Sequence, residues 1–295
     1  MNDAGFVPDL AQAAQAEIAR LDAAARLHHV DGRHGKIAWR EFGSGAPLVL
    51  LHGGHGSWLH WVRNIEALSQ DHTLLIPDMP GYGDSGDPPS RAGEQELLMQ
   101  IVDALIASLD QLLGAGVSLD LAGFSFGGLV AALLARQRGG VRRMSLLGSA
   151  GHGTARRPGA GLAPWQGLPQ ADMLAALRHN LGAHMLHADA SIDALALAVH
   201  EHSCLRTRFK SRLLSRTRQL PEALAAFSQP VLLIWGEHDV TATPMTLAHQ
   251  LAELCAAGDW CVVPGAGHWV QYECAQTINP MLASWFGPGQ RRYPV

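Results

Sequence analysis

Long apolar runs are missing from this chain. No stretch reaches the roughly 18 to 20 uninterrupted apolar residues of a membrane span, and the opening residues, with Asn2, Asp3 and Gly5, lack the positive region and apolar core of a secretion signal. A soluble cytoplasmic protein without a membrane partner is expected. Charge is also thin: 16% of the 295 residues are Asp, Glu, Lys or Arg, and the net charge is −4. With no long basic tract, nucleic acid is excluded and a small-molecule partner expected. The four cysteines (Cys204, Cys255, Cys261, Cys274) have no C-x-x-C spacing, which argues against a zinc ribbon or redox pair and for buried free thiols. Internal repeats and low-complexity tracts are absent, and no glycine loop is followed by Gly-Lys-Ser/Thr.

What is present is ordinary globular material, 47% hydrophobic. Leu10, Ala13, Ile18, Leu21, Ala25 and Leu27 recur at helical spacing, with Asp9, Glu17, Arg20 and Asp22 between them. An amphipathic helix over residues 1–27 is expected, available to pack on the body, close a homodimer or lie over a site entrance. Short apolar runs at 37–42, 47–52, 72–77, 117–122 and 141–147 read as strands, with a helix at 94–113; strands resume at 230–235 and 260–263. Such alternation predicts an α/β fold, a mostly parallel sheet flanked by helices. Between the two halves, Gly151, Gly153, Gly159, Gly161 and Gly167 with Pro158, Pro164 and Pro169 open a segment that then reads as helical. Residues 151–225 are expected as an inserted helical lid, and 28–150 with 226–295 as the core.

Gly123-Phe124-Ser125-Phe126-Gly127-Gly128 joins a strand to an Ala/Leu-rich helix. Glycines flanking a serine there let strand and helix pass closely and present its hydroxyl at the mouth of a site, so Ser125 is the candidate nucleophile. A serine needs a base, and the base a carboxylate that fixes its tautomer. Asp239, in Gly236-Glu237-His238-Asp239, and His268, in Gly265-Ala266-Gly267-His268, each follow a strand, where open parallel sheets place their ligand crevice. Asp239 is preferred to Glu237, which stays close to the strand end and is expected to cap or ion-pair locally. The loop His52-Gly53-Gly54-His55-Gly56 offers backbone donors for an oxyanion, one from Gly54 and the other from Phe126. His52 is read as an organiser of that loop.

These motifs, with Asp78-Met79-Pro80-Gly81-Tyr82-Gly83-Asp84-Ser85 and Gly267-His268-Trp269, resemble the α/β-hydrolase superfamily over residues 28–287. The resemblance is to its lidded small-molecule serine hydrolases. It implies that Ser85 belongs to a structural loop. His268-Trp269 and Asn64 look like the subgroup that hydrolyses carbon–carbon bonds in aromatic ring-cleavage products. That subgroup has Asn before the nucleophile and a lid arginine for the substrate carboxylate. This chain has Phe124, no clear arginine equivalent around Val199-His200-Glu201, and a shorter glycine loop. The expected activity is hydrolysis of a small, fairly apolar carboxylic ester through an acyl-enzyme. Carbon–carbon hydrolysis is the alternative, and a ligand-binding receptor on a hydrolase scaffold the alternative from another class.

No cofactor and no metal is called for: His200 and His202 are two apart on a helix and face different ways. His55, Phe124, Trp165 and Trp269 are candidate substrate contacts. The run Arg206, Arg208, Lys210, Arg212, Arg216, Arg218, placed at helical spacing, reads as a solvated surface.

Overall fold

The computed structural model describes residues 6–32, 35–87 and 93–287, so the ends of the outermost expected units, 1–5 and 288–295, lie outside the described residues. The strands are β1 (Arg26–Gly32), β2 (Gly35–Phe42), β3 (Ala46–Leu51), β4 (His72–Pro77), β5 (Leu119–Phe124), β6 (Val141–Leu147), β7 (Val231–Gly236) and β8 (Gly258–Val263). They form one sheet in the order β1-β2-β4-β3-β5-β6-β7-β8. Pairings of β1 with β2 and of β2 with β4 are antiparallel; from β4 to β8 the sheet is parallel.

A parallel sheet must be covered on both faces. Every residue of β5 and β7 is accordingly buried, and their alternate side chains feed two apolar clusters, Leu121 and Leu233 in one, Ala122 and Leu232 in the other. The helices before the insertion are α1 (Phe6–Ala24), α2 (Ile65–Leu68), α3 (Glu94–Leu113) and α4 (Phe126–Arg138). Between β6 and β7 lie α5 (Gln170–Asn180), α6 (Ala194–Leu205) and α7 (Gln219–Ala225), and after β7 come α8 (Pro244–Leu254), α9 (Val270–Glu273) and α10 (Ala275–Phe286). The chain runs from β3 out to β4, then returns to lay β5 on the other side of β3. At such a reversal the loops beyond the carboxyl ends open a crevice.

Three expectations shift. The N-terminal helix stops at Ala24, not residue 27, because Arg26 already pairs with Glu41 in β1. That strand was invisible by pattern: of its seven residues only Val30 is buried. The strand expected from 117 begins at Leu119, since Val117 is exposed, and runs on to Phe124. Among the uses open to α1, the structure has it packed on the body through Ala14, Ile18 and Leu21, against α6 of the insertion. All four cysteines are free, with Cys204 and Cys255 buried but Cys261 and Cys274 only partly so. No helix among the described residues is long and apolar enough to cross a membrane.

Candidate active site

β5 delivers Ser125 at its carboxyl end, and α4 begins at the next residue. The turn is so tight that a Cβ on Gly123 would stand 2.4 Å from the Gly127 carbonyl oxygen, and one on Gly127 2.3 Å from that of His52. Ser125 itself has φ 52°, a left-handed backbone that a residue with a side chain adopts only at a cost. Its amide donates to Leu147 O at 2.9 Å, and its carbonyl accepts from Ala150 at 2.9 Å, which holds the turn in place.

β7 and β8 bring the partners. The Ser125 hydroxyl lies 2.9 Å from His268 Nε2, and His268 Nδ1–H donates to Asp239 Oδ2 at 2.7 Å. That second bond fixes the tautomer, leaving Nε2 free to accept the serine proton. Asp239 is fully buried and His268 is 2% exposed. Burial alone would raise the Asp239 carboxyl. The His268 ring and the donors of Thr241 (N–H and Oγ–H, both 2.7 Å from Oδ1) more than offset it and hold the pKa below the usual carboxylate value. Beneath the pair sits Gly148, where a Cβ would be 3.0 Å from His268 Nδ1 and 3.1 Å from Asp239 Oδ2. Glu237 lies outside this group: its carboxylate accepts from the Gly265 amide at 2.9 Å at the surface.

The glycine loop follows β3, beside β5. Among the described residues no protein acceptor takes up the amides of Gly54 or Phe126, as a site awaiting an oxyanion requires. His52 Nδ1–H donates to Gly53 O at 2.8 Å while Nε2 accepts from Met79 at 2.9 Å, and His60 Nδ1 accepts from the Gly53 amide at 3.1 Å. Both rings are thereby spent as loop organisers, and burial pushes His52 down to about 4. His55 has φ 49°, so the two non-glycine residues with positive φ among the described residues, His55 and Ser125, both lie here. Ser85 is buried with its hydroxyl donating to Asp78 O and accepting from Ala38 N–H, so it serves the loop after β4.

Above Ser125 lies a cavity of about 730 Å³ between sheet and insertion, in the range of small-molecule sites. Gly54, His55, Phe124, Trp165, Ser125 and His268 all line it. Trp269 does not. Its ring is buried, stacked on Tyr272 at 4.2 Å, and its Nε1–H donates to His60 O at 2.9 Å; it positions the base loop and contacts no substrate space. Asn64 likewise is structural, donating to Gln271 O and Asn279 Oδ1 at 2.9 and 2.7 Å. Residues 206–218 are turns and one short 3-10 segment rather than one helix, which overturns the helical spacing; all six basic residues are nevertheless exposed, as the solvated-surface reading expects. Arg206 pairs with Asp84, and Arg208 grips Asp87 and the carbonyls of Gly83 and Ser85, while Arg212 and Arg216 line the cavity with Arg156.

Pattern reading also missed Thr241, Gly148, His184 and His200. Thr241 had a signal, since Asp-x-Thr is a local capping spacing. His184 had none: it reaches the cavity from a π-turn at Leu181–Met185, its ring 5.4 Å from that of His268, and burial with the neighbouring His268 and Arg156 pushes it down to about 3. His200 lines the cavity and is brought to about 4 by burial and by His55.

Comparison with known proteins agrees with this architecture. The dihydrolipoyllysine-residue acetyltransferase component of the acetoin cleaving system of Pseudomonas putida is 31% identical over 266 residues, which are 84% of this chain and 66% of that protein, so the chain spans about two thirds of that relative's length. The 2-hydroxymuconate semialdehyde hydrolase of a Pseudomonas species is 29% identical over 257 residues, 82% of this chain and 87% of that one. The crystal structure of a serine hydrolase from Cycloclasticus zankles superposes with a TM-score of 0.72 at 19% identity, covering 89% of this chain and 98% of the other. Residues 48–280, from β3 into α10, match the alpha/beta hydrolase family. A match over that span, on a sheet wound in this order, makes the chain a member of the alpha/beta hydrolase family.

Proposed function

We propose that the protein hydrolyses small carboxylic esters through an acyl-enzyme, with the insertion as a lid over the site. The observation that carries this is the unbroken relay from Ser125 to His268 to Asp239, at 2.9 and 2.7 Å, opening into the cavity. In the mechanism, Ser125 Oγ attacks the ester carbonyl as His268 Nε2 takes its proton. The tetrahedral oxyanion forms against the amides of Gly54 and Phe126, each worth roughly 3 kcal/mol in sites of this kind. His268 then hands the proton to the departing alkoxide, which leaves as alcohol; it next draws a proton from water as the water oxygen attacks the acyl carbon, and returns that proton to Ser125 Oγ as the acid is released. Asp239 keeps the ring oriented and stabilises its cation throughout. Phe124, whose ring centroid is 5.0 Å from that of His268, gives the wall beside the nucleophile an apolar surface with no hydrogen-bonding group.

Ser125→Ala is expected to abolish turnover of 4-nitrophenyl acetate and butyrate and to remove labelling by a fluorophosphonate, with the circular dichroism spectrum unchanged. Undiminished turnover in the variant would reject the assignment. Carbon–carbon hydrolysis is supported as a second reading by relatives named 2-hydroxymuconate semialdehyde hydrolase and 2-hydroxy-6-oxononadienedioate/2-hydroxy-6-oxononatrienedioate hydrolase, at 29% and 26% identity. Bleaching of a coloured dienol ring-cleavage product by the enzyme would favour that reading over the ester, and a stable absorbance would dismiss it.

A further inference from the structure

The cavity wall contributed by the insertion is cationic in a chain whose net charge is −4. Arg156, Arg157, Arg212 and Arg216 line the main cavity, and no Asp or Glu does. Arg157 is engaged, its guanidinium donating to Glu237 O at 2.8 Å. The other three have no hydrogen bond from their guanidinium groups and no ion pair among the described residues, although eleven ion pairs there employ other arginines, and Arg206 and Arg208, exposed as these three are, find carboxylates.

These three also repel one another: burial together with Arg216 and Arg212 pulls the Arg156 guanidinium below its ordinary pKa. Like charges gathered at the mouth of a cavity raise the local potential for an anion, and the buried Asp239 offsets this at Arg156 only in part.

Their place relative to the nucleophile is informative. A second, smaller cavity of about 290 Å³ adjoins the first, lined among others by Gly148, His152 and Thr154. Ser125, His268, Ser215, Arg156 and Arg216 line both. Arg156 and Arg216 thus stand at the junction where the reacting carbonyl must sit, and Arg212 lies on the larger side only. His55, His184 and His200, which line the same wall, are held neutral at pH 7 by burial and cationic neighbours, so the arginines supply its positive charge. A guanidinium offers paired donors in a plane and matches the two oxygens of a carboxylate.

We propose that Arg156 and Arg216, with Arg212 beside them, form an anion subsite in the catalytic cavity, and that the substrate is an ester carrying a carboxylate a few atoms from the scissile carbonyl, such as the hemiester of a short dicarboxylic acid. The substrate class rests on the ester reading above; the anion subsite is testable apart from it. Its apolar chain runs along Phe124, Leu162, Trp165 and Met185, which line the larger chamber.

The experiment has two arms. In the first, kcat/KM is measured for 4-nitrophenyl hemiglutarate and for 4-nitrophenyl valerate, which match in acyl length and differ in the terminal charge. The wild type is expected to prefer the hemiglutarate, and the ratio of the two is expected to fall about ten- to a hundredfold in Arg156→Gln/Arg216→Gln, the range for losing hydrogen bonds to a charged group. Arg156→Lys/Arg216→Lys should keep part of the preference, and rising salt should erode it in the wild type. In the second arm, glutarate binding to the Ser125→Ala protein is followed by calorimetry, which needs neither turnover nor an arginine variant. Valerate turned over without preference for the hemiglutarate, and no heat from glutarate, would overturn the subsite and leave the ester reading standing. Glutarate bound by the Ser125→Ala protein, with neither ester turned over, would uphold the subsite and remove the ester reading.

Discussion

On the sheet side of the cavity the reacting acid and base have fixed partners, whereas on the insertion side three cations have none among the described residues. Asp239 takes two hydrogen bonds from Thr241 and one from His268; His52 and His60 are spent on the Gly53 loop. Arg156, Arg212 and Arg216 line the same space, with no protein acceptor among the described residues. The difference separates two kinds of work. Groups that must hold one geometry through a reaction are tied down before substrate arrives, while groups that recognise a ligand leave their donors for it.

The sharpest way to break this contrast is to loosen the tied side. Asp239→Asn keeps the shape but removes the charge that fixes the His268 tautomer, and kcat/KM is expected to fall on the order of 10⁴-fold. Glu237→Gln, two residues away at the surface, should stay within about twofold of wild type, and equal losses in the two variants would erase the distinction between them.

The next largest effect is on stability in acid. His52 and His200 are both lowered to about 4 inside the fold, from 6.5. As pH falls below 6.5 the unfolded chain therefore takes up their protons first, and the native state loses stability across pH 6.5 to 4 while being indifferent above it. The loss approaches about 3 kcal/mol for each fully buried ring at the bottom of the window. Asp239, whose folded pKa is depressed, adds its own loss only below the ordinary carboxylate range. Denaturant midpoints at pH 7.5, 6.5 and 4.5 measure this, and a flat profile would mean the rings are charged or solvated. The smallest expected effect belongs to Arg208→Ala. It unties the insertion from Asp87 and from the carbonyls of Gly83 and Ser85, and should cost about 1 kcal/mol and raise KM more than it lowers kcat.

Much of the sheet side was legible in the sequence because its signals are local. Apolar runs ending in Gly-rich turns mark strands and the loops after them, and the order serine, acid, histidine then places Ser125, Asp239 and His268 on one edge. β1 was hidden because its covered face carries His28, Val30 and Gly32, only one of them apolar, while exposed Leu27 falls on the other face, so the sequence shows no apolar alternation there. Trp269 was misplaced because sequence adjacency to His268 does not say which way a ring turns, and here it turns back onto Tyr272. The exposure of the arginines was legible but their grouping was not: helical spacing was assumed across 206–218, where the backbone is a series of turns, so which side chains meet depends on tertiary docking. Arg156 lies some fifty to sixty residues from its two companions, a pairing that no local period reveals.

Glu273 spans the two sides. Its carboxylate accepts from the amides of His187 and Ala188 in the insertion, at 2.7 to 3.1 Å, and from that of Gly267, next to the base, at 2.7 Å. Met185 O adds a bond from the Trp269 amide at 2.7 Å. A wall anchored in this way at its edge nearest His268 can change its facing side chains one at a time while the base stays where it is. In evolutionary terms, substrate choice on this scaffold is a nearly independent variable: the lining can drift between acids, esters and other acyl compounds, and the hydrolytic apparatus below it need not be rebuilt.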